Sequence, residues 1–455
     1  MSAAARTGPA LVVLSESPRR QLLKPGWPLV VLYVAFPLWW ALGLAQLIFF
    51  AMAIAMAVIL RKKRQLRVPR GFGLWLLFLL WMLAGLALVR AEAPQTLAGG
   101  AIGRVFGFGV WAGWYLAITI VMLYVANTAR ELPTLRLVRL LGWMFVVTAG
   151  FGLLAMLAPG LEFKSPMEVI LPGQLTGTNF VRTLIHPSLS SSSDFLGYVQ
   201  PRPTAPFPYS NAWGNNLALY LPFFMLACFG KDAGWRNKVG PVVLIAAILP
   251  IVASLNRGLW ISLAMAAVYA AVRLAFNGRT RSLYTLVVAL VVGGIVFVSS
   301  PLYDTIELRA ETPHSNDRRA GTAQTVSAVT AEGSPFVGYG TTRTMQGSFN
   351  SLAGGETEAC HQCAAPPLGT QGFMWRLVLT TGFVGTALCL AFFAVQFLRR
   401  ARGPSPLDIT TSTVLLVSVL CFFVYDSLGS ALFTTMIAVG LMARADDESS
   451  GEVTA

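Results

Sequence analysis

The chain has 455 residues, is 55 % hydrophobic and only 12 % charged, and carries a formal net charge of +14. That excludes an ordinary soluble domain, in which about a quarter of the residues are charged. The positive charge sits in short clusters between apolar runs, so it reads first as a membrane topology signal and second as attraction to anionic lipid, not as a nucleic-acid surface.

A spanning helix needs about 20 apolar residues, and windows of that size recur about twelve times along the chain. They predict spans near 27–43, 44–60, 71–90, 105–128, 139–159, 211–229, 239–255, 258–275, 283–300, 370–398, 409–425 and 428–443. The expected fold class is an all-α polytopic integral membrane protein, with a single membrane domain over 1–455. No cleavable signal peptide is evident; the basic start Arg19-Arg20-Gln21-Leu22-Leu23-Lys24 leads into the first span as an uncleaved anchor.

Charge sets the expected orientation. The runs Arg61-Lys62-Lys63-Arg64, Arg130/Arg136/Arg139, Lys231/Arg236/Lys238, Arg273/Arg279/Arg281 and Arg399/Arg400/Arg402 mark cytoplasmic loops. With both termini inside and about twelve spans, all five fall on one face. The segment 444–455 is then a cytoplasmic tail. Two long extracytoplasmic loops, 160–210 and 301–368, occupy the other face with a shorter one near Arg90 to Arg104. Loops this long without obvious helices of their own are usually functional or disordered. Eleven basic residues fall on this face, and ten are arginine: Arg90, Arg104, Arg182, Arg202, Arg257, Arg309, Arg318, Arg319, Arg343 and Arg376, beside Lys164. The guanidinium fork matches phosphate oxygens bidentately, so this bias points to an anionic ligand.

The first long loop ends in Gln200-Pro201-Arg202-Pro203-Thr204-Ala205-Pro206-Phe207-Pro208. Its prolines predict a stiff extended segment that holds Arg202 near the membrane surface. Ser210 or Asn211 is the expected cap of the helix that follows. Arg257 lies in Ser254-Leu255-Asn256-Arg257-Gly258, between two apolar runs. A cation at such a hairpin tip has no cheap place in lipid: it snorkels, pairs with an acid, or binds an anionic ligand at the bilayer edge.

Cys228, Cys389 and Cys421 fall in apolar spans and read as small buried hydrophobes. Cys360 and Cys363 form a lone Cys-x-x-Cys in the second long loop, for which a disulfide pinning the loop is expected; no metal site is. Asp426 lies between the last two spans, and an acid at that depth is costly unless an arginine pairs with it.

Four stretches in this order resemble the O-antigen ligase and polymerase superfamily, in its actinobacterial form. They are Arg202 to Asn216, Ser254 to Trp260, Ser334-Pro335-Phe336-Val337-Gly338-Tyr339-Gly340, and Thr381-Gly382-Phe383-Val384-Gly385. The resemblance covers residues 200–390 by motif and the whole chain by topology. It implies a GT-C-like glycosyltransferase architecture and an inverting, metal-independent transfer without cofactor at the outer leaflet of the cytoplasmic membrane. The donor would be a glycan on a polyprenyl pyrophosphate; the acceptor would be a glycan, lipid or protein. Arg202 and Arg257 match the family's two pyrophosphate-binding arginines, and Arg318 or Arg319 matches a further one. The family's histidine base falls on Gln371, which cannot take a proton. His314 is then the candidate base, with Glu311, Asp317 or Glu356 as carboxylate alternatives and Gln371 left to orient the acceptor. His186 and His361 are lesser candidates. The competing class is a lipid-linked oligosaccharide flippase or other transporter, which would carry charged or broken helices at the midplane and internal repeats.

Overall fold

The structure, a computed structural model, describes residues 24–177, 179–193, 200–298, 314–344 and 367–452. In hydrocarbon a backbone must satisfy its own polar groups, and uninterrupted runs of Leu, Val, Ile, Phe and Ala do so as helices. Six helices precede the first long connection: α1 (Trp27–Val34), α2 (Phe36–Ala41), α3 (Leu47–Arg61), α4 (Phe72–Ala84), α5 (Ala101–Asn127) and α6 (Thr134–Leu157). Within that connection lie α7 (Pro166–Ile170), α8 (Gly173–Thr176), α9 (Asn179–Ile185) and an antiparallel ribbon of β1 (Ser190–Ser193) and β2 (Gln200–Pro203). Four helices follow: α10 (Ser210–Phe229), α11 (Arg236–Ala253), α12 (Arg257–Phe276) and α13 (Thr280–Val298). The second connection holds α14 (His314–Gly333), and α15 (Phe373–Arg400), α16 (Pro406–Phe422) and α17 (Ser430–Glu452) complete the bundle.

The protein is therefore mostly helical. Among the described residues six helices, α5, α6, α10, α11, α12 and α15, are long and apolar enough to cross a membrane by length and composition, and the segments Leu47–Arg61, Phe72–Leu88, Pro406–Phe422 and Ser430–Ala445 are shorter and apolar. Apolar side chains point outward from them: Ile54, Leu80, Ile245, Ile261 and Leu398 are each more than 60 % exposed. Exposed apolar surface on that scale is unfavourable in water and is what lipid-facing helices present.

Two expectations need correction. The span expected at 27–43 is two short helices broken at Ala35. Pro37 has no N–H to give to the Tyr33 carbonyl, so the first helix stops before it. The two long connections also carry regular structure of their own. The polar α14 has no apolar periodicity to announce it.

Aromatic and small residues knit the core. Phe145 of α6 and Phe224 of α10 stack with ring centroids 4.6 Å apart, and Trp213 Nε1 donates to the Thr148 carbonyl at 3.0 Å. A side chain at Gly152 would come within 2.7 Å of both Trp213 and Pro250, so only glycine admits this approach.

Residues of the basic clusters also hold the fold together. At their end of the bundle, arginines collect carbonyl groups that helix termini leave unpaired. Arg444 Nη1 donates to the Leu132 carbonyl at 2.9 Å. Arg273 reaches the Arg400 carbonyl at 3.2 Å, and Arg400 pairs with Asp408 at 3.1 Å.

Candidate functional site

The α11–α12 turn, at the opposite end of the bundle, is where the Arg202 to Asn216 and Ser254 to Trp260 stretches meet. Leu255 takes a left-handed backbone (φ +50°), an uncommon conformation for a leucine. Asn256 then caps α12, its Oδ1 accepting from Leu259 N at 3.3 Å. Its amide donates to the Ser210 carbonyl at 3.3 Å. The Tyr425 hydroxyl donates to the same Asn256 Oδ1. A Cβ on Gly258 would sit 2.4 Å from that hydroxyl, and one on Gly214 would sit 2.5 Å from Asn256 Nδ2. Both glycines are thus needed for close approach rather than for flexibility.

Arg257 is the first residue of α12 and is half-buried. A cation in the first turn is opposed by the helix dipole, by roughly 0.3–1 kcal/mol at exposed positions. An anion bound there would meet the guanidinium and the first amides of α12 together. Arg202 lies on β2, is 8 % exposed, and donates from Nε to the Ser254 carbonyl at 2.6 Å. The structure therefore brings Arg202 to the turn that carries Arg257. Of the extended proline segment expected around Arg202, Gln200–Pro203 is the β2 strand, whereas 205–209, with Pro206 and Pro208, is a turn that leads into α10.

The helix start after Arg202 differs in detail from expectation. The cap position of α10 is Tyr209, with no side-chain cap, and Ser210 is already helical. The asparagines serve another purpose. Asn215 Nδ2 donates to Ser427 Oγ and Asn216 Nδ2 to Ser430 Oγ, each at 3.0 Å, across to the α16–α17 turn. Nothing in the spacing of residues 215 and 427 announces this pairing.

That turn also carries Asp426. Its carboxylate is paired with Arg376 of α15, as the cost of a lone acid required. Arg376 is nearly buried, lies 4.8 Å over the Trp111 ring, and also reaches the Gly369 carbonyl at 3.4 Å. Phe373 N donates to the Tyr425 carbonyl at 2.7 Å, which sets the half-buried Gln371, two residues earlier, beside the same turn. The order along this edge is Arg202, Ser254, Asn256–Arg257, Tyr425–Asp426, then Arg376 and Gln371.

The two glycine motifs dock on each other. At Gly382 (φ +65°, ψ −175°) α15 is kinked, and the Leu379 and Thr380 carbonyls are free to accept from Tyr339 N at 2.8 Å and Gly340 N at 3.0 Å. Phe383 N returns a bond to the Pro335 carbonyl at 2.8 Å. A side chain at Gly382 would meet the Phe336 carbonyl at 2.3 Å, and one at Gly338 would meet Gly382 N at 2.6 Å.

Two further arginines, Arg343 and Arg104, are engaged by the chain itself. Arg343 is buried, and donates to the Val89, Ala91 and Tyr339 carbonyls at 2.9 to 3.2 Å. Burial, with Arg104 adding to it, pushes its guanidinium down to about 10, so it stays charged at neutral pH. Arg104 pairs with Glu92 at 3.0 Å and holds that carboxyl below its usual range. These two arginines stitch loops together.

His314, Arg318 and Arg319 lie in the first turns of α14; their side chains, and that of Asp317, lie outside the described part of the structure. So do Arg309, Glu311, Glu356, His361, Cys360 and Cys363. Cys228, Cys389 and Cys421 are buried free thiols, as their apolar surroundings imply. His186 is held by Glu168, with Nδ1 and Oε2 2.7 Å apart.

No protein-family model matches this chain, and no curated protein matches it as a relative.

Proposed function

We propose that the protein is a polysaccharide ligase or polymerase: an inverting glycosyltransferase that moves a glycan from a polyprenyl pyrophosphate to an acceptor hydroxyl. The acceptor oxygen forms a bond to the anomeric carbon. The bond from that carbon to the pyrophosphate oxygen breaks, and the lipid pyrophosphate leaves with the electron pair. Negative charge grows on the leaving group, and preorganised guanidiniums at a low-dielectric edge stabilise it without a metal.

The observation that carries this reading is the convergence of Arg202 and Arg257 on one turn, joined through the Ser254 carbonyl. The position of Arg257 in the first turn of α12 adds weight, since an anion there relieves the opposition between guanidinium and dipole. In this scheme Arg318 and Arg319 of α14 extend the pyrophosphate site, His314 takes the acceptor proton, and Gln371 orients the acceptor beside Tyr425 and Asp426. The order of motifs resembling O-antigen ligases and polymerases supports a GT-C-like arrangement of about twelve spans, with the site on the extracytoplasmic face of the cytoplasmic membrane.

The test is transfer from a purified polyprenyl-pyrophosphate glycan by protein in nanodiscs, with EDTA present. Accumulation of free polyprenyl pyrophosphate together with a lengthened acceptor is the expected result. Movement of intact lipid-linked glycan across the bilayer, without bond exchange, would favour the transporter class instead.

A further inference from the structure

A cavity of about 310 Å³ lies between the first long connection and the α2–α3 corner. It is at the small end of ligand pockets, which run from about 300 to 1,000 Å³. Its chemistry is mixed. Trp40 and Phe207 supply aromatic surface, while Gln46, Glu162, Arg182 and His186 supply hydrogen-bonding groups of both kinds. Trp40 is fixed in place by edge contacts with Phe151 and Phe163, ring centroids 4.9 and 5.8 Å away.

One group in its wall is unexplained by folding. With His186 Nδ1 engaged by Glu168, Nε2 is buried and has no hydrogen-bond partner among the described residues. The Glu162 carboxylate stands 3.7 Å away, beyond hydrogen-bond range. A buried nitrogen left unpaired costs free energy, and such groups in folded proteins have a reason.

We propose that this cavity binds one neutral sugar ring, with a ring hydroxyl bonded to His186 Nε2. The alternation of charge in the wall selects the ligand. An anion would face Glu162, with Glu168 behind His186, and a cation would face Arg182. An apolar ligand would leave all of these groups unsatisfied. A polyhydroxylated ring donates and accepts at each hydroxyl and offers C–H faces to Trp40 and Phe207. The cavity also adjoins the proposed transfer site. Ser191 lines it and stands opposite Arg202 in the β1–β2 ribbon, so the two residues share a face. Its role as a glycan subsite of the transferase rests on the transfer reading; sugar binding itself does not.

The experiment is saturation-transfer NMR on the full chain in nanodiscs, with glucose, galactose and mannose as neutral probes, and glucuronate and inorganic phosphate as anionic ones. At least one neutral hexose is expected to saturate the protein in the millimolar range. Trp40→Ala and Glu162→Gln should each weaken it about ten-fold, as loss of a good contact does. Glu162 is largely exposed, so its substitution leaves the fold intact and keeps the test informative. Arg257→Ala should bind the hexose like wild type whether or not transfer is lost, which separates failure of this site from failure of the transfer reading. Three results would overturn the proposal: no neutral hexose saturating below about 100 mM, an anionic probe binding more tightly, or wild-type hexose affinity in both the Trp40 and Glu162 variants.

Discussion

Arg202 Nε donates to the Ser254 carbonyl at 2.6 Å, and this one bond joins the strand before α10 to the turn that ends in Arg257. The turn is held from its other side by the Tyr425 hydroxyl on Asn256 Oδ1. Two arginines 55 positions apart thereby belong to one rigid corner.

The Tyr425 contact can be removed with little loss of volume. Tyr425→Phe should cost about 1 kcal/mol of stability, the net worth of one hydrogen bond. If the corner positions Arg257, transfer should fall by on the order of ten-fold, since small misplacements of a charge-stabilising group are felt in rate. Thermal unfolding in detergent and the transfer assay measure the two effects. An unchanged rate in a measurably less stable variant would mean that Tyr425 supports the fold alone.

Gly382→Ala tests the docking of the two glycine motifs. The backbone there is one that side chains rarely adopt, and the added carbon would meet the Phe336 carbonyl at 2.3 Å. Backbone strain of about 1–3 kcal/mol and overpacking of about 1–3 kcal/mol both act against the variant. A lowered unfolding temperature is expected. Gly150→Ala of α6 is the control, because no atom lies within 4 Å of its added carbon. Equal stability of the two variants would contradict the docking.

The Arg376–Asp426 pair is best read by a double-mutant cycle. Asp426→Ala leaves a nearly buried guanidinium without its carboxylate and should cost about 3–5 kcal/mol. Arg376→Met with Asp426→Ala should cost less than the sum of the single changes by at least about 1 kcal/mol. Additive effects would show that the two side chains are not coupled, and that Arg376 is held mainly by Trp111.

Much of this was legible in the sequence, for identifiable reasons. Helices α5, α6, α10 and α15 are read from continuous apolar runs, because hydrocarbon allows little else. The break at Ala35 hides in such a run, since hydropathy does not register the N–H that Pro37 lacks. The need for a partner at Asp426 follows from cost alone, whereas the identity of that partner depends on α15 passing the α16–α17 turn. The same holds for Asn215 with Ser427 and for Tyr425 with Asn256: polar pairs between helices far apart in the chain leave no periodic trace. Arg343 is the instructive miss. As a residue type it resembles Arg202, and only its enclosure by the Val89, Ala91 and Tyr339 carbonyls separates a loop stitch from a candidate ligand arginine.

In the proposed reaction Arg257 grips the pyrophosphate with its fork of donors. The most direct measurement is transfer of a polyprenyl-pyrophosphate glycan by purified Arg257→Lys in nanodiscs, with EDTA present and protein levels matched to wild type. A lysine is a point charge and cannot reproduce bidentate binding. The expected result is a fall of about 10²–10³ in rate, the typical loss for one preorganised donor group, with Arg202→Ala behaving alike. Near-wild-type activity of Arg257→Lys would contradict the clamp, because a residue that only snorkels to headgroups is replaced by lysine without loss.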